Sequence, residues 1–163
     1  MSHPTDLLDA VRTRLDRLGF ELVDFRRVGT LDRPILQIRV DRPGAEPGRG
    51  ITTEDLTGVS RALERWLEEE HHVGPRYVLE VSSPGIERPV RFPEHWRRYV
   101  GSEVRLKARG LKGHPRARIK AVPDDAHVTL RFPDGHEATL ALEVIREATL
   151  VVDWSTYGKR QGA

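Results

Sequence analysis

Near the start of the chain, Leu8, Val11, Leu15 and Leu18 recur at helical spacing, with Asp6, Asp9, Arg12 and Arg14 falling elsewhere. That spacing gathers the apolar set on one helix face and predicts a first helix near residues 5–18, stopped by Gly19. The period then drops to two. Val23 and Phe25 alternate with Asp24 and Arg26, and Leu36, Ile38 and Val40 share one face of a second strand at residues 35–40. The turn-forming GTLDRP between them predicts a hairpin. A Gly- and Pro-rich loop, DRPGAEPGRG, follows.

Residues 51–56, ITTEDL, read as a helix start. Thr52 is the expected N-cap, Asp55 takes the place of the capping-box Glu, and Ile51 and Leu56 occupy staple positions. Leu56, Val59, Leu63, Trp66 and Leu67 continue the apolar stripe until Glu68, Glu69, Glu70, His71 and His72. Gly74-Pro75 precedes a third strand at residues 77–81. The first module is therefore α-β-β-α-β, its helices expected on one face of a sheet. Its order of elements is KH-like.

From Tyr99 the pattern is short alternating segments separated by turns: EVRLKAR, RARIKAV, HVTLRF, HEATLAL and ATLVVDW. Five such strands predict a small β-barrel. The fold class is α+β. The expected boundaries are residues 1–85 for the α/β domain, 86–98 for a linker with a short helical turn, 99–154 for the barrel and 155–163 for a disordered tail.

Composition changes this picture in two ways. Among 163 residues there is no cysteine, which excludes disulfides and thiolate metal sites. Charge is unevenly spread: residues 1–85 carry 12 Arg against 15 acids, net −3, and residues 86–163 carry 15 Lys and Arg against 10 acids, net +5. A basic module suggests an anionic partner such as RNA. No apolar run is long enough for a membrane span, and the charged N-terminus does not read as a secretory signal.

The cations concentrate in the barrel's first hairpin. If Val104, Leu106, Ala108, Ala117, Ile119 and Ala121 point inward, then Arg105, Lys107, Arg109, Arg116, Arg118 and Lys120 point outward, with Lys112 in the loop between the strands. No acid interrupts residues 104–122. That predicts an anion-binding face against the plainer reading of a solvated surface. The hairpin offers no exposed aromatic, so phosphate and shape recognition, or an acidic protein surface, is expected over base reading. Gly110-Leu111-Lys112-Gly113 matches GXXG, but it lies in a hairpin loop of the wrong module for a KH clamp.

The stretch YVLEVSSPGIERPV carries Ser82 and Ser83. It does not match the G-x-S-x-G elbow, and nothing in the sequence positions a base beside either serine. The readings left are a rigid joint and a phosphate cradle using the serine hydroxyls and Arg88. His71-His72 lacks a third metal ligand nearby, and Trp66 is expected in the core. Trp96 is read as either core or binding surface, in a short helical turn expected to pack one module against the other.

LEVSSPGIERPV, followed by Trp96-Arg97-Arg98-Tyr99-Val100-Gly101, resembles the signature of the RimP family of bacterial ribosome maturation factors. Residues 50–67, with Val59-Ser60-Arg61, resemble the family's second helix. Ile145, Ala148 and Leu150 resemble its closing I-x-x-A-x-L segment. The resemblance implies an N-terminal α/β domain and a C-terminal barrel of SH3/Sm-like type. It also implies a non-catalytic cytoplasmic protein, expected to be a monomer, with no cofactor and no metal. The implied partners are the free small ribosomal subunit, its RNA, and a ribosomal protein near the decoding region. The sequence departs from the family at Ile86-Glu87, where Leu-Asp is usual, and at Leu56, where a cysteine is common. It departs again at His114-Pro115-Arg116-Ala117, where a basic-basic-aromatic segment and glycine are frequent. Ser82, Ser83, Pro84, Gly85, Arg88 and Pro89 are read as a joint that also offers a contact surface. The alternative function is a general RNA-binding or translation regulator.

Overall fold

A computed structural model describes residues 4–45, 50–70, 73–74, 76–85 and 87–152. Two units are resolved by their internal contacts, Met1–Gly85 and Ile86–Ala163.

In the first unit the order is α1 (Pro4–Leu18), β1 (Glu21–Gly29), β2 (Pro34–Asp41), α2 (Thr53–Glu69) and β3 (Val78–Ser82). On α1 the fully buried stripe is Leu7, Val11 and Leu15, four residues apart, while Leu8 and Leu18 are half-buried on its flank. The expected stripe was thus displaced by part of a turn. α1 packs on β1 and α2, and α2 packs on β3. The sheet order is β1-β2-β3. β1 and β2 form the expected antiparallel hairpin, whereas β3 runs parallel to β2. A parallel neighbour needs a crossover, which the segment containing α2 provides.

Strand β1 does not keep simple alternation. Its register shifts between Leu22 and Asp24, and Leu22, Val23, Asp24 and Phe25 are all buried. An extra residue in one strand turns consecutive side chains toward the same side. The buried Asp24 carboxylate accepts the Phe25 N–H at 2.9 Å and the Arg26 Nε–H at 3.2 Å. At the hairpin tip a side chain on Gly29 would lie 2.5 Å from the Arg33 carbonyl, and its φ is +85°, so the turn requires glycine.

The entry to α2 is built as expected and is tied more tightly than its sequence suggests. Thr52 Oγ1 accepts the Asp55 N–H, and the Asp55 carboxylate accepts the Thr52 N–H, closing a capping box. Arg42 also donates to Asp55, its Nη2 at 2.7 Å. Buried Asp41 accepts the N–H groups of Arg42 and Ile51. A Cβ on Gly50 would clash with that carboxylate, so the position beside Ile51 calls for glycine. Val59, Leu63 and Leu67 bury one face of α2, and Trp66, expected in the core, is half-buried.

The second unit is β-rich. It contains α3 (Pro93–Arg98), β4 (Glu103–Ala108), β5 (Arg116–Asp124), β6 (His127–Arg131), β7 (Glu137–Ala141), a 3-10 turn (Leu142–Val144) and β8 (Ile145–Leu150). All neighbouring strands are antiparallel, in the order β7-β6-β5-β4-β8. The last strand starts three residues earlier than its apolar run suggested. It ends at Leu150, although the Val151 N–H still bonds the Glu103 carbonyl at 2.9 Å. Ahead of α3, the Val90 N–H bonds the Ala148 carbonyl and the Leu150 N–H bonds the Arg88 carbonyl, so residues 88–90 run along β8. Trp96 and Val90 belong to this unit's core with Val104, Leu106, Ile119, Val128 and Leu130. His71, His72 and the tail from residue 153 lie outside the described residues.

Thr52→Ala removes one half of the capping box. It is expected to cost the first unit about 1 kcal/mol, a fall of roughly 4–8 °C in a thermal melt. The Thr52 backbone N–H, and then Arg42, hold the Asp55 carboxyl below its usual 3.8. A depressed acid stabilises fully above the unfolded value and loses that contribution as pH falls through the folded one. The gap in urea midpoint between the native chain and Asp55→Asn is therefore expected to be full near neutrality and to close below 3.8.

Candidate nucleic-acid interface

Burial on one side of the second sheet dictates what the other side presents. Val104, Leu106 and Ala108 of β4 and Ala117 and Ile119 of β5 are buried. Arg105, Lys107, Arg116, Arg118 and Lys120 are therefore outward and exposed, as the alternation predicts. Arg109 and Lys112 are exposed in the segment that joins β4 to β5. Ala121 departs from the pattern. The β5–β6 register shifts between Ile119 and Ala121, and the expected inward alanine is exposed.

Not all seven cations come together. The β4–β5 ladder sets Arg105 directly opposite Arg116 and Arg118 opposite Glu103. β8 sets Glu147 opposite Lys107. The run is free of acids along the chain, yet the sheet supplies them from neighbouring strands. What remains cationic is narrower, and it includes a residue the sequence reading missed: β6 places Arg131 opposite Arg118. Arg131 lies outside the hairpin run, and only strand pairing brings it in.

Arg105, Arg116, Arg118 and Arg131 thus form two adjacent like-charge pairs. Arg118 donates to the Gly101 carbonyl at 2.5 Å. Arg116 Nη1 lies 3.9 Å from Glu103 Oε1, a loose contact across exposed side chains. Arg105 and Arg131 make no ion pair or hydrogen bond among the described residues. Two directly opposed like charges destabilise a strand pair by up to about 1 kcal/mol. Among the described residues the face contains no exposed aromatic platform, since Phe132 is buried and stacked on His136 at 4.7 Å. Its chemistry suits phosphate over bases.

The serine turn lies at the end of the first unit. Ser82 closes β3, and Ser82, Ser83 and Gly85 are exposed while Pro84 is buried. Gly85 has φ +73°. Arg88 is completely buried and Pro89 is buried beside it, bridged to Thr149. Arg88 is therefore closed to an outside ligand, and the phosphate-cradle reading loses its cation. Of the six residues read as a joint and contact surface, only Ser82, Ser83 and Gly85 are open to a partner. Gly110 and Gly113 have positive φ in the β4–β5 connection, away from any helix pair. Among the described residues there is no cluster of metal-ligating side chains. None of their helices is long and apolar enough to cross a membrane.

The fold first defines a class: a mixed α+β protein with an α-β-β-α-β N-terminal unit and a β-rich C-terminal unit. Residues 10–87 match the family model described as the RimP N-terminal domain. That match supports the RimP family of ribosome maturation factors, a non-catalytic family that associates with a ribosomal subunit.

Arg105→Gln is expected to weaken retention on a polyanion column while leaving the fold equally or more stable, by up to about 1 kcal/mol at low salt. The stability gain should vanish at 1 M salt, where the Debye length is about 3 Å. Chemical denaturation at both salt levels checks the sign.

Proposed function

We propose that this chain binds the free small ribosomal subunit and assists a late step of its assembly, without chemistry of its own. The match of residues 10–87 to the RimP N-terminal domain carries this reading. The family resemblance adds ribosomal RNA and a ribosomal protein near the decoding region as partners, and a cytoplasmic monomer as the acting form. In this reading the second unit is an SH3/Sm-like barrel. Its short antiparallel strands in the order β7-β6-β5-β4-β8 support that assignment.

The two pairs of opposed arginines support RNA as the ligand of the second unit. The net-acidic first unit suits a basic ribosomal protein. Pro84 and Pro89 restrict the backbone on either side of residues 86–88. Stiffness there lowers the ordering cost when both units touch one particle. The exposed Ser82 and Ser83 contribute contacts on the same particle. The second reading, a regulator of free RNA, draws on the arginine pairs alone.

Co-sedimentation with free small subunits, large subunits and joined ribosomes at two salt concentrations separates the readings. Retention on free small subunits alone, surviving the higher salt, is expected. Equal binding to every particle, lost with salt, would mean nonspecific cation–phosphate attraction and would favour the free-RNA regulator. The double variant Ser82→Ala, Ser83→Ala is expected to weaken binding to the small subunit with an unchanged melting curve. Unaltered binding would leave the turn a structural role only.

A further inference from the structure

Where β5 begins and β6 ends, the second unit has an open depression of about 290 Å³ lined by Glu103, Arg116, Ala117, Arg118, Arg131, Phe132 and Pro133. Three of its lining residues are arginines on two paired strands. Strand pairing places Arg118 opposite Arg131, and Arg116 lies two residues before Arg118 on β5. We propose that this depression is a seat for one phosphate group of an RNA chain, with Phe132 and Pro133 against the attached ribose. The inference rests on the reading of the second unit as the RNA-facing part, and it names where on that unit a phosphate is held.

Four observations carry it. Opposed arginines repel, so the empty arrangement costs stability that a bound anion would return. Guanidinium forks match phosphate oxygens in a bidentate way that lysine does not, and every cation lining the depression is arginine. Arg118 is already tethered to the Gly101 carbonyl, which fixes its fork before any ligand arrives. Arg131 has no ion pair or hydrogen bond among the described residues, although Glu137 stands opposite it on β7. Its donors remain open.

The remaining wall groups limit what fits. Phe132 is held by the nearly parallel stack on His136, interplanar angle 8°, and with Pro133 it offers an apolar side where a sugar would lie. The Glu103 carboxylate stands at one side, 3.9 Å from Arg116, and opposes any bound anion, so the three arginines must outweigh it. The volume lies just under the roughly 300–1,000 Å³ of drug-sized pockets, enough for a phosphate with its sugar and too small for a large cofactor.

The test follows the arginine Nε–Hε resonances of the full chain by NMR during titration with inorganic phosphate. Arg116, Arg118 and Arg131 are expected to shift together and saturate, while Arg61 and Arg65 on α2 do not follow. Arg131→Gln, at an exposed strand position, is expected to weaken phosphate binding about tenfold, the loss of one charged hydrogen bond, with backbone amide resonances otherwise kept. Equal, unsaturated drift of every exposed arginine would overturn the seat, as would full phosphate affinity in Arg131→Gln. Two oligoribonucleotides then distinguish the source of the phosphate. One has internal phosphodiesters only, and the other adds a 5′-phosphate. Equal binding of both is expected, and binding only of the second would overturn an internal chain phosphate. Small-subunit co-sedimentation is run in parallel. If the native chain sediments with the subunit yet shows no saturable phosphate shift, the seat fails and the proposed function stands. If phosphate saturates but subunit binding is absent, the proposed function fails and the seat stands on free RNA.

Discussion

Burial of aliphatic side chains on the inner side of the second sheet sets the terms for everything on its outer side. Val104, Ile119, Val128 and Leu130 are fully buried and Leu106 nearly so. Each contributes roughly 1.5–3 kcal/mol by leaving water. Placing Arg105 opposite Arg116, and Arg118 opposite Arg131, costs up to about 1 kcal/mol per pair. The inner face therefore wins, because a slip of one residue would exchange the two faces along a whole strand. The arginines are held close together by a core that has no other stable register.

The same reasoning explains what was legible beforehand. Period-two and period-3.6 patterns depend on burial, so α1, the β1–β2 hairpin, α2 and the strands of the second unit could be read from apolar spacing. The capping box at Thr52 and Asp55 was legible because both partners lie within one turn. Two of the misses fall where an extra residue breaks the period. Asp24 is buried after the irregularity at Leu22, and Ala121 is exposed after the one at Ile119. No local pattern announces either shift. Arg131 was missed for a different reason: its closeness to Arg118 is a property of strand pairing, and sequence distance hides it.

The serine turn shows how burial can change a chemical reading without altering a residue. As a string, SSPGIER places hydroxyls, a glycine and an arginine within reach of one another. In the structure the hydroxyls face solvent while Arg88 is buried and its carbonyl pairs with Leu150. The stretch divides at Gly85, with Ser82 finishing a strand of the first unit and Arg88 opening the second. Gly85 takes a positive φ there, and Pro84 and Pro89 are buried, so these three residues serve backbone geometry and packing.

The position of β8 has a consequence for how the chain emerges during synthesis. β1, β2 and β3 are all complete by Ser82, so the first unit has every strand of its sheet while the rest is still being made. The second unit has no such independence. β4 borders β8, and residues 88–90 also lean on β8, whose last residue is Leu150. Until that strand leaves the tunnel, one side of β4 stays an open edge, able to pair with a neighbouring nascent chain. The exposed cations Arg105 and Lys107 on β4 give that waiting edge a charge that discourages such pairing. The residues that give the finished surface its charge thus also guard the strand before the sheet is whole.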